Sequence, residues 1–376
     1  MSVVRCPWPE WTAYWTPPPT WPRRLLCENS LCTSVLFKDT RRLWICAAAA
    51  LLTYFLTMDA ILFSHFRSAD LSSSTSGSIE KGEIYTPFTH LSVKGLLNDH
   101  PSQFFIAPST EYFDMITHFS SIFSFITPNM ISFAHLVCGF ISGKFMSSDH
   151  LLDRRVGVVL YEYRTWLDAF DGTVHRAQEG LRLKYNSNHK TLGYVVDSTF
   201  DTLGGCFLGF SLLFYLIKKN RPDSGGTGHA SHGKSHNNGQ AQHSLLPMTS
   251  AAQAPPLTMR QVVLKAISFG VCLAVAGKCW DQAVEDFSVV FQTPLTDENL
   301  KTAQYEFCHS WTTLALFYLW RVFGGQSVLN YTLLAIYLDK IETYLSGFQF
   351  VLLGMALFLY LITAVYIHHI RSVLML

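Results

Sequence analysis

Four aspartates stand at helical intervals in stretches that otherwise read as buried in a membrane. Asp168 and Asp171 close the run "VGVVLYEYRTWLDAFDG", and Asp197 and Asp201 lie in "GYVVDSTFD", one turn behind Gly193. Spacings of i, i+3 and i, i+4 put each pair on one helix face. A short loop joins the two stretches, so they are expected to pack as antiparallel neighbours and aim all four acids at one another. Ionised acids are costly inside a membrane, and four together repel prohibitively unless cations neutralise them or some stay protonated. Oxygen-only ligands suit the hard ions Mg²⁺ or Mn²⁺ over zinc. Two such ions, about 4 Å apart, could clamp a diphosphate and polarise the attacked phosphorus. Gly172, next to Asp171, leaves room for a substrate to approach the backbone. A carboxylate relay in an ion-coupled transporter is the rival reading; it requires repeat symmetry, and the acidic pattern occurs once.

The rest of the chain supplies a membrane setting. Of 376 residues, 49% are hydrophobic and only 15% charged, against about 25% charged in soluble domains. A net charge of +1 gives no argument for a nucleic-acid partner. The nine cysteines include no C-x-x-C pair, so zinc-finger and thioredoxin-like chemistry lack their spacing.

Windows of about 20 apolar residues mark the spans. Residues 1–42 read as a cytosolic Pro/Trp-rich arm, and 43–66 as a first span interrupted by Asp59, whose expected role is a hydrogen bond in helix packing. Residues 67–126 form an exoplasmic linker with an interfacial amphipathic helix. Residues 127–217 hold spans at about 128–146, 156–170 and 191–217, and 218–258 form a polar, disordered cytosolic linker. Residues 259–376 supply spans at about 261–279, 310–323, 328–345 and 347–367. The expected fold is thus an all-α polytopic membrane helical bundle of about eight spans. Arg23, Arg24, Lys38, Arg41 and Arg42 precede the first span, which sets the N-terminus in the cytosol and the acids on the exoplasmic side. Arg176, Arg182, Lys184 and Lys190 then form a basic exoplasmic loop, an exception to that rule which an anionic substrate would explain. Cys279 and Cys308 bracket another exoplasmic segment and are a candidate disulfide in an oxidising lumen.

In order, Asp168, Asp171, Gly172, Arg176, Gly193, Asp197 and Asp201 resemble the signature of the CDP-alcohol phosphotransferases, Asp-x-x-Asp-Gly-x-x-Ala-Arg followed by Gly-x-x-x-Asp-x-x-x-Asp. "TPNMIS", with Pro128, Asn129 and Ser132, is similar to the family's opening of its first core span. Two departures are His175 in place of Ala and a spacer of sixteen residues between Arg176 and Gly193. The resemblance implies a core of about six spans and transfer of a phospho-alcohol from a CDP-alcohol to a lipid hydroxyl, with release of CMP. It implies Asp168, Asp171 and Asp197 as metal ligands and Asp201 as the base, also touching metal. Asn129, Gly172, Arg176 and Gly193 become candidates for the substrate region. The extra N-terminal span and enlarged loop are similar to a branch of the family that works in the Golgi lumen, which implies CDP-ethanolamine as donor, ceramide as acceptor and Mn²⁺ or Mg²⁺, as two ions. Transfer to diacylglycerol remains the alternative, and a second copy of the chain is a candidate partner.

Overall fold

The computed structural model describes residues 30–68, 85–88, 91–179, 192–220 and 257–376. The basic-loop residues Arg182, Lys184 and Lys190, most of the N-terminal arm and nearly all of the polar linker lie outside them. The described residues are helical and contain no strand. In order the helices are α1 (Ser30–Ser68), α2 (Val93–Leu97), α3 (Ala107–Thr117, entered through a π-turn at Ser102–Ile106), α4 (Phe119–Ile122), α5 (Pro128–Met146), α6 (Leu151–Gln178), α7 (Leu192–Lys219), α8 (Met259–Gln292), α9 (Glu298–Cys308), α10 (Trp311–Phe323), α11 (Gly325–Tyr337) and α12 (Ile341–Leu374). Four of them, Arg42–Arg67, Val195–Lys219, Met259–Phe291 and Ile341–Leu374, are long and apolar enough to cross a membrane. The protein is an all-α polytopic membrane protein.

Local chemistry sets several of these boundaries. Pro128 opens α5, where its missing N–H costs nothing. Thr258 and Gln261 form a reciprocal capping box at the start of α8. Asp297 and Ser310 cap α9 and α10 by accepting from backbone N–H groups. Gly324 breaks α10 from α11, and a side chain at Gly325 would sit 2.6 Å from the Gly277 Cα, so α11 closes against α8 backbone to backbone.

The expected spans shift where polar residues are absorbed into helices. The third span, expected to stop at Phe170, continues to Gln178, so the acids sit inside a helix. The Val328–Leu345 span breaks after Tyr337, where Asp339 adopts φ 57°, and Tyr344 and Leu345 join the next helix. At 13 residues each, α10 and α11 are about 20 Å long, short of a full crossing. The fifth span, expected at 261–279, runs on to Gln292. Cys279 and Cys308 are free, buried thiols. Burial pushes the Cys308 thiol up to about 12, which leaves it unreactive.

The chain has two compact units with their boundary at Leu56, within α1, and Thr57–Leu376 form the second. Its main core joins α6, α7, α8, α11 and α12 through Tyr161, Leu208, Phe269, Leu333 and Ala356. Phe350, Val351, Phe358, Leu361 and Val365 leave the outer face of α12 exposed and apolar, as contact with lipid requires. Asp59 is buried, ion-paired to Arg321 at 3.1 Å and hydrogen-bonded to His100 Nε2 at 2.7 Å. Asp59→Ala is expected to strand the fully buried Arg321 charge and cost about 3–5 kcal/mol. Thermal unfolding of the detergent-solubilised protein checks this, and an unchanged midpoint would show that the pair carries no such weight.

Candidate functional site

Three helices build the acidic site, and small residues let them approach. On α5, Ser132, His135, Gly139, Ser142 and Gly143 are buried at helical spacing and form one stripe. The Ser142 hydroxyl donates to the Gly157 carbonyl of α6 at 2.8 Å, and Ser132 donates to Asp171 Oδ2 at 2.5 Å. Gly143 lies against the Phe207 backbone of α7, where an added Cβ would be 3.2 Å from the carbonyl oxygen. These contacts draw α6 and α7 together along the stripe of α5.

Of the four acids expected to share one pocket, Asp168, Asp171 and Asp197 converge, and His135 rather than Asp201 is the fourth member of the group. Each of the four offers one ligand atom, all within 4.8 Å of one another. His135 is completely buried, with Nδ1 3.9 Å from Asp168 Oδ1. Both of its ring nitrogens, Asp168 Oδ1 and Asp197 Oδ1 are buried with no hydrogen-bond partner. Unpaired buried polar atoms are rare and cost about 1–3 kcal/mol each, so a cluster of them fits a group that is bound there. The donor set is therefore one that could hold a divalent metal ion. Among the described residues the donors gather into one group rather than two.

Asp201 stands outside that group but beside it. It lies close enough to Asp168 for a hydrogen bond to form when either carboxyl is protonated. Its Oδ1 accepts from Arg164 Nη2. Arg164, 4% exposed, lies one turn before Asp168 on α6 and threads between Gly139 and Gly204. A Cβ at Gly204 would come within 2.8 Å of its guanidinium. The Asp201 side chain keeps 43% of its surface and Asp168 27%, whereas Asp171 is buried, so the site opens on the Asp201 side.

The other expected substrate residues are distributed around this centre. Arg176 Nη2 is held by Glu111 Oε1 of α3 at 2.7 Å, and also donates to Thr173 at 3.1 Å. A Cβ at Gly172 would be 3.2 Å from Arg176 Nη1, so the anchored guanidinium passes beside the glycine. Asn129 is exposed in the first turn of α5, and Gly193 lies in the first turn of α7. His175 points outward, 56% exposed and 3.6 Å from Glu179, so it does not join the donor group. Lys94 of α2 brings a positive charge close enough to act on Asp168 and Asp197.

Sequence reasoning missed His135, Arg164, Glu111 and Lys94. Arg164 was accessible through its i, i+4 relation to Asp168. His135 was accessible as one turn beyond Ser132 on the span opened by Pro128. Glu111 and Lys94 carry no such signal, because only the tertiary fold brings their segment to α6.

Fold and site together define a class: a polytopic helical membrane protein with a cluster of partly buried acids and one buried histidine that could hold a divalent cation. The family model described as ceramide phosphoethanolamine synthase matches residues 42–375, and the chain belongs to that family. The ceramide phosphoethanolamine synthase of Drosophila melanogaster is 32% identical over 277 residues, covering 70% of this chain and 64% of that protein. The chain thus matches just under two thirds of its relative's length. No solved structure matches.

The Arg164 channel gives a direct test of the site's packing. Gly204→Val is expected to displace the guanidinium and release Asp201, because the added atoms occupy the space Arg164 fills. Both Gly204→Val and Arg164→Leu should then lower the unfolding midpoint of the purified protein, and the double variant should lose less than the sum of the two. Additive losses would show that Gly204 and Arg164 are not coupled.

Proposed function

We propose that the chain is a metal-dependent CDP-alcohol phosphotransferase that moves phosphoethanolamine from CDP-ethanolamine to the primary hydroxyl of ceramide and releases CMP. The observation that carries this reading is the convergence of Asp168, Asp171 and Asp197, with Asp201 alongside, in a chain of the ceramide phosphoethanolamine synthase family. The charge distribution supports an active site on the exoplasmic side of the membrane, and the resemblance implies that this is the lumen of the Golgi.

A divalent ion held by Asp168, Asp171 and Asp197, Mn²⁺ or Mg²⁺, would neutralise diphosphate charge and polarise the attacked phosphorus. The resemblance implies a second ion, with Asp201 also in contact with metal. Asp201 accepts the proton of the ceramide hydroxyl, and the alkoxide oxygen forms a bond to the β-phosphorus as the bond to the CMP oxygen breaks. Arg164 orients Asp201 by donating to Oδ1, which leaves the carboxylate's other oxygen to face the acceptor hydroxyl. Glu111 and Thr173 hold Arg176 extended beside Gly172, where it can meet donor phosphate. Lys94 adds positive charge that draws the anionic donor inward. Asn129 and Gly193 border the substrate region from the first turns of α5 and α7.

An assay of purified protein that crosses CDP-ethanolamine and CDP-choline with ceramide and diacylglycerol tests the proposal. Equal amounts of CMP and ceramide phosphoethanolamine are expected, made only with divalent metal. In Asp201→Asn, turnover should fall about 10²–10⁴-fold. Transfer to diacylglycerol alone would overturn the acceptor, and undiminished turnover in a folded Asp201→Asn protein would remove the base.

A further inference from the structure

The motif resemblance supplies oxygen ligands only, and His135 is not part of that motif. The structure nevertheless makes this histidine a member of the acidic cluster, beside Asp168. It is completely buried, and neither ring nitrogen has a hydrogen-bond partner. A histidine packed only for its shape normally settles one nitrogen on a carbonyl or hydroxyl. Ser132, one turn earlier on the same helix, directs its single hydroxyl proton at Asp171, with the more distant Pro128 carbonyl as the alternative acceptor. The Phe200 ring stands 6.2 Å away, centroid to centroid, and offers no acceptor. What His135 does face is Asp168, and one of its nitrogens lies within 4.8 Å of ligand oxygens from Asp168, Asp171 and Asp197.

Asp201 explains why a nitrogen ligand has room there. The fourth aspartate is drawn aside by Arg164, which is fixed between two glycines and cannot easily let go. We propose that His135 is a nitrogen ligand of the cation held by Asp168, Asp171 and Asp197, occupying a position that Arg164 keeps Asp201 from filling.

Two consequences follow from ligand chemistry. Adding one neutral donor in place of a fourth carboxylate lowers the negative charge around the ion, which matters in a site that already gathers several acids. An imidazole nitrogen also binds first-row transition ions better than Mg²⁺, which prefers oxygen and holds its water tightly. His135 therefore biases the site against Mg²⁺. The inference rests on the cation site of the proposed function, but not on the identity of donor or acceptor.

The test is pulsed electron paramagnetic resonance of Mn²⁺ added to the full-length protein in lipid nanodiscs. His229, His232, His236 and His243 of the polar linker are changed to alanine in every sample, so that they cannot supply a nitrogen signal. One equivalent of Mn²⁺ is expected to show nitrogen modulation that changes on ¹⁵N-histidine labelling and disappears in His135→Gln. The preference for Mn²⁺ over Mg²⁺, from competition binding, should fall by about tenfold or more in His135→Asp, which restores an all-oxygen set. Bound Mn²⁺ without histidine modulation in the protein that retains His135 would overturn the inference and leave the cation site standing. The same holds if modulation persists in His135→Gln. Absence of Mn²⁺ binding altogether would remove the cation site and this inference with it. Because the first reading needs no change at position 135, it stands even if the variants fold poorly.

Discussion

Repulsion among carboxylates governs the centre of this protein. Two like charges 4 Å apart repel by about 4 kcal/mol at an effective dielectric of 20. Asp168, Asp171 and Asp197 are gathered more tightly than solvation alone would allow, with Asp201 beside them. The fold answers with one buried guanidinium, Arg164, and one hydroxyl donor, Ser132. Neither suffices to balance four acids. A bound cation would resolve the imbalance, and the unpaired oxygens and imidazole nitrogens mark where it would fit. The small-residue stripe on α5 exists within this constraint, because only close helices can bring the donors within reach of one ion.

The surrounding elements hold that arrangement from two sides. On one side α3 packs against α6, with Phe113 edge-on to Trp166 and Phe170, while Glu111 clamps Arg176. On the other, Asp59 near the end of α1 and Arg321 on α10 form a buried pair that fixes the segment carrying His100. Lys94 and Glu111 belong to the segment preceding the motif-bearing helices, which therefore contributes to the site itself. This offers a physical reason for the family match to extend from residue 42, well ahead of the first aspartate.

The four acids were legible in the sequence because helical periodicity fixes which residues share a face, and a polar residue in an apolar stretch is conspicuous. Asp59 was legible for the same reason, and its packing role matches the ion pair observed. Span boundaries were less legible. Apolar windows stop at the first charges, whereas α6 continues through Asp168, Asp171 and Arg176, with Asp171 bonded to Ser132 and Arg176 to Glu111 inside the bundle. His175 departs from the resembling motif yet sits exposed, where its identity does not touch the donor group. His135 escaped notice because a single histidine on an apolar helix resembles any packed residue until its neighbours are known.

The central claim is that divalent metal relieves the repulsion of these acids, and its most direct test is a thermal unfolding experiment with and without ion. In chelator, the triple variant Asp168→Asn, Asp171→Asn, Asp197→Asn is predicted to unfold at a higher temperature than the parent protein, since it has lost the repulsion. With Mn²⁺ present the order should invert, because only the parent can bind the ion. A parent protein that is the more stable in chelator, and whose midpoint does not respond to Mn²⁺, would contradict the account.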